Sequence, residues 1–130
     1  LRPTSREQKE GYTNNWKVYD DCFVVTHGTS AGTNPAKAEV SKYGMSGTSG
    51  HVHRPQYSTS PTLINPHADW TITGMMSDYS SGDEYVSGPS TWTTGFGFFY
   101  IFPNKKVVIP RPIITKGGIA EFAGKVYFGE

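Results

Sequence analysis

Residues 23–54 read FVVTHGTSAGTNPAKAEVSKYGMSGTSGHVHR, and the signals in that stretch decide the fold. Phe23-Val24-Val25 is a continuous apolar run, the pattern of a strand buried on both faces. The strand is predicted to build up from Trp16 and to end at Thr26, so His27-Gly28 falls where strand gives way to loop. Asn34-Pro35 is a helix start, with asparagine at the cap and proline at the first helical position. The spacing predicts a helix over Pro35 to Tyr43, with Ala36, Val40 and Tyr43 on one face and Gly44 as its stop. A short strand from Met45 to Ser49 then delivers a turn, Gly50-His51-Val52-His53-Arg54. A right-handed crossover makes the two strands parallel and leaves both carboxyl ends on one rim of the sheet. His27, His51 and His53 are thereby expected to meet, at the strand ends where sites of sheet-based folds cluster.

Working outward, residues 1–15 are polar and without apolar periodicity, and read as a linker or frayed end. After Pro55 the pattern changes to short strands, with candidates at Gln56–Ser60, Trp70–Met76, Thr93–Phe102, Lys106–Thr115 and Gly124–Phe128. Pro103-Asn104-Lys105 reads as a hairpin turn between two long strands. The Ser, Gly, Asp and Tyr of Ser77 to Ser90 read as an exposed loop. Residues 16–130 thus form a single domain, α+β in class and β-rich, with one short helix. The composition agrees: 14% aromatics with 15 glycines and 9 prolines in 130 residues describe a turn-rich β fold.

The net charge of +1 selects no partner, since local fields rather than totals steer ligands. A lone cysteine, Cys22, forms no internal disulfide, and its place before a buried strand suits inert packing. No apolar run approaches the length of a membrane span, so no membrane partner is expected.

The histidines carry the chemistry. Residues two apart on a strand point to one face, so His51 and His53 can converge on one ion, or reach two adjacent ions where the backbone turns. Imidazole suits a borderline metal ion. The competing reading is a surface pair beside an arginine; Gly50, which permits a sharp turn, and His27 at a buried strand end weigh against it. Arg54 offers either a fork for a phosphate oxygen or an ordinary salt bridge. His67 reads as a loop histidine. Gly28-Thr29-Ser30-Ala31-Gly32 is glycine-rich but lacks the following Gly-Lys-Ser/Thr of a P-loop. The period-two row Trp92, Phe96, Phe98, Tyr100 and Phe102 is first a core face, with a base-stacking platform as the alternative.

At this point the residues resemble a known family. Val24-Val25-Thr26-His27-Gly28 resembles the fourth motif of the calcineurin-like metallophosphoesterases. Gly50-His51-Val52-His53 resembles their fifth, Gly-His-Thr-His, with Val52 in place of threonine. The tail is similar to members from phage and bacterial genomes grouped with DNA-repair exonucleases. The matching residues are Trp70, Asp78-Tyr79, Trp92-Thr93-Thr94-Gly95-Phe96 and Gly124-Lys125-Val126-Tyr127, so the resemblance spans Tyr19 to Phe128. It implies part of a two-sheet sandwich whose active site holds two divalent ions, Mn²⁺, Fe or Zn²⁺. His27 and His51 would bind one ion and His53 the other, with Arg54 on a substrate phosphate. It also implies a phosphoester substrate, with nucleic acid and nucleotide among the candidates, and a cytoplasmic setting, for a phage member that of the infected bacterial cell.

The family's other ligands come from an Asp-x-His, a Gly-Asp-x-x-Asp and a Gly-Asn-His-Asp/Glu, and this sequence contains none of them. Asp69, Asp78 and Asp83 stand in no such arrangement. The expectation is therefore an N-terminal half of the fold, supplied upstream of Leu1 or by another chain. A reduced domain that keeps a histidine site without catalysis is the third possibility. The rival reading is a non-enzymatic β-sandwich binding or virion-associated module that uses its aromatic strands as an interaction surface.

Overall fold

A computed structural model describes residues 15–18, 22–76 and 91–129. Nearly all of the expected polar start and the expected loop at Ser77–Ser90 lie outside the described residues. The first sheet has five strands: β1 (Asn15–Val18), β2 (Phe23–Thr26), β3 (Ser46–Ser49), β4 (Gln56–Thr59) and β5 (Asp69–Ile72). They run in the order β1-β2-β3-β5-β4. β2 and β3 are parallel, as are β3 and β5, while β1 and β4 form antiparallel edges. Two hairpins follow, β6 (Gly95–Phe102) with β7 (Val107–Ile114) and β8 (Ile119–Phe122) with β9 (Lys125–Phe128). With one helix, α1 (Pro35–Tyr43), among the described residues, the class is α+β and β-rich.

α1 forms where its caps dictate. The Asn34 side chain accepts from the Lys37 N–H, Pro35 occupies the first turn, and the Gly44 N–H closes on the Val40 carbonyl. The helix packs on the sheet through Ala36 and Val40, against Val24, Val52, Ala68, Trp70 and Ile72. The other sheet face meets the β6–β7 hairpin, where Cys22 and Phe23 pack with Val108 and, at the margin, Val25, Phe99 and Ile101. Neighbouring residues of β2 thus serve opposite layers, Val24 under the helix and Phe23 under the hairpin, because strand side chains alternate. Both faces are covered, as the apolar run predicts.

Gly47 sets how closely two of these strands pack. It pairs with Trp70 across β3 and β5, and a Cβ there would lie 2.3 Å from Trp70 Cζ3. The indole lies across that bare backbone, stacks on Tyr43 with centroids 5.0 Å apart, and donates from Nε1 to Ser49 Oγ at 2.9 Å.

Several boundaries differ from expectation. The single strand read from Trp16 to Thr26 is two antiparallel strands, reversing between Val18 and Phe23. Trp70–Met76 is a strand only as far as Ile72, with a lone parallel bridge from Met75 to Thr94. β8 has no counterpart among the strands read from sequence. Pro103–Lys105 is a 3₁₀ turn that ends on a left-handed Lys106. No helix among the described residues is long and apolar enough to cross a membrane.

Candidate metal centre

The carboxyl ends of β2, β3 and β5 share one rim, and all three histidines named above sit on it. The parallel pairing continues past the strands, because the Gly50 N–H donates to the His27 carbonyl at 3.1 Å. Gly28 then carries φ of +92°, with a would-be Cβ 2.9 Å from the Ser49 Cβ. Only glycine fits that turn, and it lets the chain leave the rim directly after His27.

His27 and His51 come together. His27 Nε2 and His51 Nδ1 are 3.1 Å apart, and the rings meet edge to face at 5.1 Å between centroids. His27 is half-buried; burial, then the neighbouring His51 and His53, hold its imidazole below the ordinary histidine range. It is therefore neutral at physiological pH, the form that offers a lone pair to a metal.

His53 stands next to this pair rather than within it. Its ring packs edge-on against Trp92, with centroids 4.5 Å apart. Its Nδ1 is buried and has no hydrogen-bond partner among the described residues. The Thr93 N–H donates to the His53 carbonyl at 2.9 Å, which ties the turn to the chain entering β6. The sharp bend expected at Gly50 belongs instead to the histidines: His51 has φ of 60° and His53 of 54°. Histidine is among the residues enriched in that region, though it is still strained there. Arg54 follows on the exposed surface.

The donor set fits a divalent ion in part. Two nitrogens that bind one ion at about 2.0–2.1 Å stand roughly 3 Å apart, which matches the spacing of the His27–His51 pair. The buried His53 Nδ1, without a partner among the described residues, is a second fitting feature. Carboxylates are what is missing: among the described residues no three His, Cys, Asp or Glu side chains form a cluster able to hold an ion. Asp69 lies at the start of β5, on the opposite rim, where it accepts from the Tyr57 hydroxyl at 3.0 Å.

Two further residues shape this rim. Trp92 entered the sequence reading through an aromatic row and the family resemblance, not as a neighbour of the histidines, yet its ring packs on His53. Glu39 carries no motif, but it is buried on α1 and its Oε1 accepts from the N–H groups of Thr29 and Ser30 at 2.7 and 2.8 Å. It thereby fixes the loop that leaves His27. An acid in a short helix gives no sign in sequence that it reaches back to that loop. No protein-family model, curated protein or solved structure matches the chain.

Proposed function

We propose that this chain is the histidine-bearing part of a metal-dependent phosphoester hydrolase, of the kind the calcineurin-like resemblance implies. His27 and His51 hold one divalent ion, Mn²⁺, Fe or Zn²⁺, and His53 serves a second. The remaining ligands come from an N-terminal half of a two-sheet sandwich, carried by the same or another chain. The observation that carries this reading is the 3.1 Å approach of His27 Nε2 to His51 Nδ1 across the ends of adjacent parallel strands.

Ions bound there would supply Lewis-acid activation of a phosphoester and of the attacking water. The chain's own residues do the positioning. The Gly50 and Thr93 N–H groups fix the backbone of His27 and His53, Trp92 limits the rotation of the His53 ring, and the depressed pKa of His27 keeps it unprotonated. Arg54, exposed beside the turn, would meet a substrate phosphate with its planar fork.

The test is metal binding, read by thermal unfolding and by calorimetric titration with Mn²⁺ and Zn²⁺. A ligand that binds only the folded chain, at a hundred times its Kd, adds about 2.7 kcal/mol of stability. The rise in Tm should vanish in His27→Ala and His51→Ala, and the isolated chain should hydrolyse phosphodiesters weakly or not at all. A chain whose Tm ignores both ions would sink the reading and leave the non-enzymatic binding module in its place.

A further inference from the structure

The hairpins present a second surface that the metal centre does not use. On β6 alternate residues face outward, and Phe96, Phe98, Tyr100 and Phe102 are each 40–46% exposed. The residues between them turn inward, Phe99 and Ile101 packing toward Phe23. Phe98 meets Tyr100 edge-on at 5.0 Å and Phe122 of β8 at 5.3 Å. These contacts fix the rings upright while leaving each a face in solvent. A groove of about 340 Å³ opens beside them between the two hairpins, lined by Tyr100, Arg111 and Phe122 among others.

Charge separates this face from the rest of the chain. Residues 91–130 contain Lys105, Lys106, Arg111, Lys116 and Lys125 against two acids, Glu121 and Glu130, an excess of three positive charges in a chain whose total is +1. All five basic residues are exposed. Arg111 pairs with Phe98 across the hairpin, so its guanidinium rises on the aromatic side. Glu121 turns its carboxylate to the Gly124 N–H at 2.8 Å. Aromatic rings in a row with basic groups among them are what an unpaired polynucleotide requires: π-faces for its bases and cations for its phosphates.

We infer that the outer face of the β6–β7 and β8–β9 hairpins binds single-stranded nucleic acid, with bases stacked on Phe98 and Tyr100 and phosphates held by Arg111 and Lys125. A duplex keeps its base faces inside its own stack, so the rings select the single strand. The surface also leads to the candidate metal centre, because Trp92, which packs on His53, lies three residues before β6 begins at Gly95. The inference stands apart from the hydrolase reading, since it needs no ion.

The experiment is fluorescence anisotropy of a labelled oligothymidylate with the full chain, run with and without a chelator. The single strand should bind, weaken as salt rises, and exceed a duplex of equal length by roughly tenfold or more. Phe98→Leu and Tyr100→Leu keep apolar bulk but lose the stacking face, and each should weaken binding by roughly tenfold. Arg111→Gln, a surface change that leaves the core intact, should lower the salt slope by about one. Four binding results would overturn the inference. They are no single-strand binding, equal binding of duplex, folded leucine and glutamine variants that bind like the parent, and loss of binding in the chelator, which would move the contact to the histidines. Sedimentation showing a dimer that the leucine variants dissociate would equally overturn it, by assigning the face to a second copy.

Discussion

Replacing Gly47 with alanine tests the packing that brings the histidine turn to the rim. The new Cβ would lie 2.3, 2.6 and 2.8 Å from Trp70 Cζ3, Cη2 and Cε3, where carbon atoms prefer about 3.5–4.0 Å. The indole would have to retreat by more than about 1 Å to restore that distance. It has nowhere to go, being fully buried, stacked on Tyr43, and bonded through Nε1 to Ser49 Oγ. Overpacking of this kind costs about 1–3 kcal/mol, and losing the partner of a buried N–H adds about 1–3 kcal/mol. Lower chain entropy in the unfolded state returns about 0.4–1 kcal/mol. The net loss is about 1–5 kcal/mol and centres near about 3 kcal/mol, which should lower the urea midpoint, followed by far-UV circular dichroism, by about 1–2 M. The colliding atoms belong to the outer ring of the indole, which phenylalanine lacks. Gly47→Ala combined with Trp70→Phe should therefore cost at least about 1 kcal/mol less than the sum of the single changes. A single variant within about 0.5 kcal/mol of the parent, or an additive pair, would refute the packing argument.

Glu39 is subject to burial, which raises its pKa, but hydrogen bonds from Thr29 and Ser30 and the charge of Lys42 outweigh that and hold it below the ordinary carboxylate range. A depressed folded pKa contributes stability above the unfolded value that disappears as pH falls through the folded one. Glu39→Gln should thus cost about 1–3 kcal/mol at neutral pH and progressively less in acid; a loss independent of pH would disprove the ionised clamp. Burial, the charge of Asp69 and the hydrogen bond to it push the Tyr57 phenol up to about 12. A raised folded pKa gives stability that holds below the unfolded value and fades as pH climbs through the folded one. Ultraviolet titration of the parent against Asp69→Asn should show one late phenol moving back toward its ordinary value near 10, and identical curves would contradict the contact.

The sequence makes some of this structure legible because local chemistry dictates it. Asn34, Pro35 and Gly44 bracket α1 at the residues that cap it, and the apolar run Phe23-Val24-Val25 marks a strand covered on both faces. What sequence hides depends on pairing. Val18 and Phe23 are both good strand residues, so the reversal between them shows only in the register of β1 on β2, and the Asp20-Asp21 pair was its available sign. β8 escapes for a related reason. Its hairpin turns on Ala123 at φ of 53° and Gly124 at 77°, and Ala-Gly lacks the asparagine or aspartate that announces such a turn. The site divides in the same way. Strand ends mark His27 and His51, but the packing of Trp92 on His53 and the reach of Glu39 to Thr29 arise from tertiary contacts with no sequence period.

Three unfavourable features coincide at one rim of the sheet. His51 and His53 both adopt left-handed backbone, a strain on the order of 1–3 kcal/mol for each non-glycine residue. His53 buries a ring nitrogen with no hydrogen-bond partner among the described residues, and burial costs such a polar atom about 1–3 kcal/mol. His27 is held against His51 and, with burial, that keeps its own imidazole below the ordinary histidine range. A chain selected for stability alone would place glycine or asparagine at both left-handed positions. Strain of this kind persists where the surrounding structure enforces it, and here the Gly50 and Thr93 hydrogen bonds and the Trp92 ring do so. An electron-pair acceptor reaching those nitrogens would recover that energy, since coordination would satisfy the buried atom and uses neutral imidazole, the form favoured at His27. That balance favours a binding role for the turn over a solvated histidine pair, and the outcome rests on the metal titration of the parent and the two alanine variants.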